Sequence, residues 1–207
     1  MSAREEILSR LRTEVREAEL PPAWESKRDF PDLVARFTET LTASLGEVRQ
    51  ADSLESAWEE VGAILREEGA KAVVANDEPP LSAEVLTKRW PDYEWHIVGQ
   101  TTGDLREFCI RADVGISCAE AALAETGSIV VRSGPGKSRL ATLLPPVHVA
   151  LVPISCLTPD IFTWTAERFG EMPANLLIIS GPSKTADIEF TLTLGVHGPG
   201  RLVVVLF

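Results

Sequence analysis

The 207 residues are enough for one domain with a sizeable core, since a chain of this length buries roughly 70% of its unfolded surface. A formal net charge of −11 excludes a nucleic-acid backbone or an anionic membrane surface as partner, because both require clustered Lys and Arg. Cys109, Cys118 and Cys156 form no close pair, which excludes a disulfide framework and a self-contained four-thiolate iron–sulfur cluster; His96, His148 and His197 lack the spacing of a structural zinc site.

Residues 4–18 read as a helix with Ile7, Leu8, Leu11 and Val15 on one stripe, ended by Leu20-Pro21-Pro22. Packing on its own domain satisfies that stripe, and so would contact with another subunit. Pro31 opens a second helix that runs to about Ser44, with Leu33, Val34, Phe37 and Leu41 as its apolar face. Ser53 caps a third helix, which Gly69 closes. Residues 20–30 are polar and proline-bearing, and the chain divides into an N-terminal helical appendage, 1–45, and an α/β domain, 46–207.

From residue 71 the texture changes. Short apolar runs at 72–75, 95–98, 114–116, 128–131, 149–152, 176–179 and 202–206 alternate with helical stretches at about 82–89, 103–111, 119–125, 138–144 and 158–169. Continuously apolar strands belong to a sheet buried on both faces. The expected fold is therefore α/β, three-layered, with a mostly parallel sheet flanked by helices. The junctions at 125–128 and 195–200 are too short for a helix, and Phe190-Thr191-Leu192-Thr193-Leu194 reads either as a strand or as a helix end. No segment reaches the ~18 apolar residues of a spanning helix. Residues 1–12 are charged and lack the apolar run of a signal peptide, so a cytoplasmic location is expected.

One motif of the form S-G-P-[GS]-K-[ST] occurs twice, as Ser133-Gly134-Pro135-Gly136-Lys137-Ser138 and as Ser180-Gly181-Pro182-Ser183-Lys184-Thr185. Glycine permits close backbone approach, lysine supplies positive charge, and a following helix would aim its amides at the same spot. At the ends of adjacent parallel strands the two bends would share one crevice. Ser133, Gly134, Gly136, Lys137, Ser138, Gly181, Ser183, Lys184 and Thr185 are therefore candidate ligands for a phosphate or carboxylate. Each bend also reads as an ordinary strand-to-helix turn. Neither copy has the glycine spacing of a phosphate-binding P-loop, and no dinucleotide fingerprint follows a strand.

In Ala124-Glu125-Thr126-Gly127-Ser128 a carboxylate precedes a glycine turn, where Glu125 is either a base, nucleophile or acceptor in a cleft or a surface residue; Thr126 and Gly127 would line the same spot. Asp187 and Glu189 follow the second bend. Asp187 is a first-turn carboxylate or, with Glu189 and His197, a ligand pair, though no metal site is assigned. His197, in Gly195-Val196-His197-Gly198-Pro199-Gly200, contacts ligand or bonds to its own turn. Glu125, His197 and Asp187 are the catalytic candidates, and Glu189 joins the ligand-binding set. His148 opens an apolar strand and is expected in packing; Cys118 and Cys156 lack a basic neighbour and are expected to be inert.

Ala121-Ala122-Leu123-Ala124-Glu125-Thr126-Gly127-Ser128, the two S-G-P bends, Leu143-Leu144-Pro145-Pro146-Val147-His148, Ile188-Glu189 and Leu194-Gly195-Val196-His197-Gly198-Pro199 together resemble the LUD-domain, lactate utilization protein C family, across about residues 113–206. The resemblance implies a NagB/RpiA/CoA-transferase-like fold. It also implies a part in oxidising L-lactate to pyruvate with partner proteins that carry iron–sulfur clusters, no cofactor being bound by this chain alone. CoA transferases of that fold use a Glu beside Asn-Gly; Glu125-Thr126-Gly127 departs from it with Thr for Asn. Three functions stay open. The first is a subunit that holds lactate, pyruvate or a phosphate-bearing anion beside Lys137 and Lys184. The second is a stand-alone enzyme on a phosphorylated or CoA-type substrate, with Glu125 as nucleophile or base. The third is a regulatory binding module.

Overall fold

Valines, isoleucines, leucines and alanines dominate the central strands because helices or a second sheet cover both of their faces. The computed structural model describes residues 2–14, 24, 26–167, 173–186 and 192–207. In chain order the elements are α1 (Ala3–Glu14), α2 (Leu33–Ala43), β1 (Glu47–Gln50), α3 (Leu54–Glu67), β2 (Ala72–Ala75), α4 (Ala83–Arg89), β3 (Glu94–Ile97), α5 (Leu105–Arg111), β4 (Val114–Cys118), β5 (Ala121–Leu123), β6 (Ser128–Arg132), α6 (Leu140–Leu143), β7 (Val147–Val152), β8 (Leu157–Thr158), α7 (Ile161–Glu167), β9 (Leu176–Ile179), β10 (Lys184–Ala186), β11 (Leu192–Leu194) and β12 (Arg201–Leu206).

The main sheet has six strands in the order β1-β12-β7-β4-β2-β3, and every pairing in it is parallel. Alternate residues divide its two faces. Val73, Ala75, Ile116, Val149, Leu151 and Val203 pack against Val61, Ile64 and Leu65 of α3 and Leu86 of α4. On the opposite face Ala150, Val152, Val204 and Leu206 meet Phe37 and Leu41 of α2 and Ile129 and Val131 of β6, while Val74 meets Phe108 of α5 and Ala141 of α6. The expected three-layer α/β fold is thus observed. Ser53 caps α3 through the Ser56 amide, as read from the sequence, and the Ser56 hydroxyl completes the box. α2, grouped on sequence with the N-terminal appendage, buries Phe37 and Leu41 completely in the core. On α1, by contrast, Ile7 and Leu11 are 59% and 60% exposed, and Val15 lies outside the described residues.

A second sheet has four strands in the order β8-β5-β6-β9, with β5–β6 and β6–β9 antiparallel. It contains the first correction: the helix expected at 119–125 is strand β5. Ala and Leu favour helix intrinsically, but here they are fully covered and hydrogen-bonded between β6 and β8, and tertiary pairing overrides the propensity. The stretch that read as strand or helix end contributes β11, paired antiparallel with β10; residues 187–191 lie outside the described set. Among the described residues no helix is long and apolar enough to cross a membrane.

Candidate functional site

The main sheet steps outward in opposite directions from β2 and β4, which makes the crevice at their carboxyl ends a topological switch point. The bend at residues 133–138 folds over that point. The Asp77 amide donates to the Gly136 carbonyl at 2.8 Å, and the Ser138 amide donates to Asn76 Oδ1 at 2.9 Å. Lys137 Nζ lies 2.8 Å from Oε2 of Glu78, whose side chain is 7% exposed and whose Oε1 also accepts the Cys118 amide at 2.9 Å. The charge of Lys137 therefore balances a buried carboxylate. Burial and the neighbouring Glu78 push the Cys118 thiol up to about 12, and burial alone pushes Cys109 to about 11, which keeps both protonated.

The expectation that the two S-G-P bends end adjacent parallel strands is overturned. β6 and β9 are antiparallel neighbours, in register from Ile129↔Ile179 to Arg132↔Leu176, so the bends leave opposite ends of the pair. The Ser133 amide donates to the Asn175 carbonyl before β9, whereas Ser180 after β9 meets Ser128 at the start of β6, with hydroxyl oxygens 2.6 Å apart. An unbroken apolar run specifies burial but not strand direction, and direction decides which loops converge. The second bend also leads into β10 rather than a helix, which removes the helix terminus expected to face an anion there.

Glu125 and Thr126 occupy the hairpin between β5 and β6. Glu125 Oε1 lies 2.7 Å from the Arg28 guanidinium, which reaches to 3.8 Å from buried Asp160. Burial opposes ionisation of Asp160, but the Ser26 hydroxyl, the Thr163 amide and Arg28 outweigh it and hold the carboxyl below its usual range. A carboxylate paired as Glu125 is makes a poor free nucleophile. Gly127 has φ +63°, and a Cβ there would lie 2.2 Å from the Leu41 amide nitrogen, so the glycine answers the close approach of α2. Thr126 Oγ1 is 2.7 Å from Ser128 Oγ, and this pair continues to Ser180, linking the hairpin to the second bend.

That second bend helps to form a cleft of about 230 Å³ at the amino ends of β7 and β12. Ile178, Ile179, Ser180, Gly181 and Ser183 form one wall; Thr142 and Leu143 of α6 and His197, Gly198 and Pro199 form the rest, over a floor of His148 and Leu202. Bonds from the Ser183 amide to the Pro199 carbonyl (2.8 Å) and from the Gly200 amide to the Pro146 carbonyl (2.9 Å) fix the glycine-rich bend across it. His197 is exposed, and Lys184 is exposed on β10 beside Ser183. His148 is 1% exposed; its Nε2 is 2.9 Å from buried Ser117 Oγ, and its Nδ1 has no hydrogen-bond partner. Burial pushes its imidazole down to about 3, so it is neutral at physiological pH.

Of the sequence-derived candidates, Gly181, Ser183 and His197 meet in this cleft, with Lys184 and Thr185 on the hairpin leading from it. Glu125, Thr126 and Gly127 adjoin it through Ser128, whereas Ser133, Gly134, Gly136, Lys137 and Ser138 lie at the far end of the β6–β9 pair. Asp187 and Glu189 lie outside the described residues. Sequence reasoning missed Ser117 and set His148 aside as packing. The available signal was a histidine among the apolar residues of a strand covered on both faces, a position that requires a partner for each ring nitrogen.

Residues 34–207 match the model of the LUD domain. The chain belongs to the LUD domain family. Lactate utilization protein C of Exiguobacterium sp. is 41% identical over 150 residues, 69% of this chain and 64% of that protein, so the match spans just under two thirds of the relative. Lactate utilization protein C of Halalkalibacterium halodurans is 36% identical over 178 residues, 82% of this chain and 76% of that protein. A crystal structure of a duf162 family protein from Deinococcus radiodurans superposes with a TM-score of 0.55 at 19% identity, covering 84% of this chain and 95% of that one, which shows the shared fold. The LUD domain match contains every residue of the cleft and of the Glu125 hairpin, and leaves α1 outside it.

Proposed function

We propose that this LUD domain chain is a component of a cytoplasmic system that oxidises L-lactate to pyruvate. In this reading it holds a small carboxylate in the cleft and acts with iron–sulfur partner proteins. The observation that carries the reading is the 36% identity, over 82% of the chain, to a protein named lactate utilization protein C. The cleft supports it. At about 230 Å³ it is smaller than the roughly 300–1,000 Å³ usual for drug-sized ligands, which suits an acid of a few carbons better than a nucleotide. Hydroxyls of Ser180 and Ser183 and the Gly181 and Gly198 backbone offer short-range donors, and Lys184 adds charge beside them. Three cysteines, two of them buried with raised thiol pKa values, cannot supply four thiolates, so the electron-carrying clusters fall to partners.

Deleting the gene tests this reading. Growth on L-lactate as sole carbon source should be lost and growth on pyruvate retained; equal growth on both would overturn it. Anaerobic capture of the tagged chain should bring down iron and acid-labile sulfide in fixed proportion. A capture free of both, from cells that depend on the chain for lactate, removes the partner from the proposal.

A further inference from the structure

We propose that His148 and Ser117 together read the C2 oxygen of a 2-hydroxy or 2-oxo acid bound in the cleft. The inference rests on the reading of that cleft as a small-carboxylate site. Its starting point is the orphan nitrogen: His148 lies in the floor of the cleft, its Nε2 is held 2.9 Å from the Ser117 hydroxyl, and its Nδ1 is buried without a partner, so a bound acid meets it as the lining of the cleft gives way. Packing does not require this arrangement. An aliphatic residue would fill the floor without burying an unsatisfied polar atom, and such atoms are uncommon in folded proteins. The next residues on the same face of the strand, Ala150 and Val152, are apolar and completely buried, which shows how apolar the position could be.

A neutral imidazole has one N–H and one lone pair, and a serine hydroxyl either donates or accepts. When the Ser117 hydroxyl donates to Nε2, the proton sits on Nδ1, which then donates to the carbonyl oxygen of a 2-oxo acid. When Nε2–H donates to Ser117 Oγ, the Nδ1 lone pair accepts from the hydroxyl of a 2-hydroxy acid. One pair of side chains thus serves both members of an alcohol–ketone couple without any change in charge. Burial keeps the ring neutral and makes it a weak base, so its part is hydrogen bonding and not proton removal. The carboxylate end of the acid is left to the hydroxyls of Ser180 and Ser183 and to His197 at the mouth.

Calorimetric titration of the full chain with L-lactate, pyruvate and propionate tests this, since propionate lacks only the C2 oxygen. Lactate and pyruvate should bind at least about tenfold more tightly than propionate. His148→Gln keeps a nitrogen or oxygen toward Ser117 but none at the Nδ1 position, and should erase that preference; His148→Asn, which restores a polar atom near Nδ1, should recover part of it. In case neither variant folds, nitrogen NMR of the ¹⁵N-histidine wild type gives an independent readout. The Nδ1 resonance of His148 should move with lactate and pyruvate and stay fixed with propionate. Equal binding of the three acids, or a static Nδ1 under bound lactate, overturns the inference and leaves the carboxylate site standing. If none of the three binds, the carboxylate reading falls and takes the inference with it.

Discussion

Gly115→Ala gives the sharpest test of the packing behind the cleft. Gly115 sits in β4 opposite Val74 of β2 and His148 of β7, so the strand is held from both sides. A Cβ on it would lie 1.8 Å from the Ala141 carbonyl oxygen, 3.0 Å from the Ala141 carbonyl carbon and 3.1 Å from Pro145 Cγ. Two of these are backbone atoms with no rotamer to give, so α6 must retreat by about 1.6 Å to restore ordinary contact. Overpacking in a core costs about 1–3 kcal/mol, and backbone against backbone puts this case near 3. For a chain of this length that lowers Tm by about 9 °C. Two controls separate sterics from other effects. Gly69→Ala has φ +56° and nothing within 4 Å, so it bears only left-handed strain, about 1 kcal/mol. Gly134→Ala has neither positive φ nor a neighbour within 4 Å and should stay within about 0.5 kcal/mol of wild type. Urea unfolding followed by tryptophan fluorescence, with thermal melts alongside, measures all three. A Gly115→Ala protein that loses no more stability than Gly69→Ala would refute the reasoning.

Two further outcomes follow from the charges. Lys137→Met leaves Glu78 buried without its counter-charge and should cost about 2 kcal/mol in urea unfolding, discounted for the partial exposure of the lysine. Its Kd for a small carboxylate should change by less than about threefold; a tenfold loss with stability intact would return Lys137 to the ligand site. The second outcome concerns pH. Above pH 6.5 His148 is neutral in both folded and unfolded chain, but below that only the unfolded chain takes up the proton, because the folded imidazole titrates at about 3. Stability should therefore decline as pH falls from 6.5 toward 3, by on the order of 3 kcal/mol at pH 4.5. Glu47, held below its ordinary value by the hydrogen bond from Arg201, adds its own loss only as the pH drops through the carboxylate range. Urea midpoints between pH 7 and 5 should fall for wild type and stay flatter for His148→Gln; coincident slopes would count against the buried-imidazole account.

The layers were legible because burial writes itself into composition: the runs at 72–75, 114–116 and 149–152 could not be exposed, and Ser53 had to cap what followed. β1 was not legible. As an edge strand it carries Glu47 and Arg49, which pair with Arg201, Glu60 and Glu67, so its sequence is that of a surface. β5 hid behind alanine, whose helix preference is local while its two partner strands are not. For the site, glycine-rich bends at Ser180–Ser183 and around His197 advertised themselves. The commitment of Lys137 to Glu78 could not be read, because nothing local ties that bend to the carboxyl end of β2. His148 and Ser117 meet across two strands, and no spacing in the chain records such a pair.

The strand order also has a consequence for synthesis. β12, from residues 201–206, inserts between β7 and β1, so the strand translated latest in the sheet is an interior one. Until it emerges from the ribosome, β7 keeps a bare hydrogen-bonding edge and β1 has no neighbour at all. A nascent chain stalled before Arg201 would present that edge to chaperones, or to other stalled copies, at the stage when strand-on-strand aggregation is easiest.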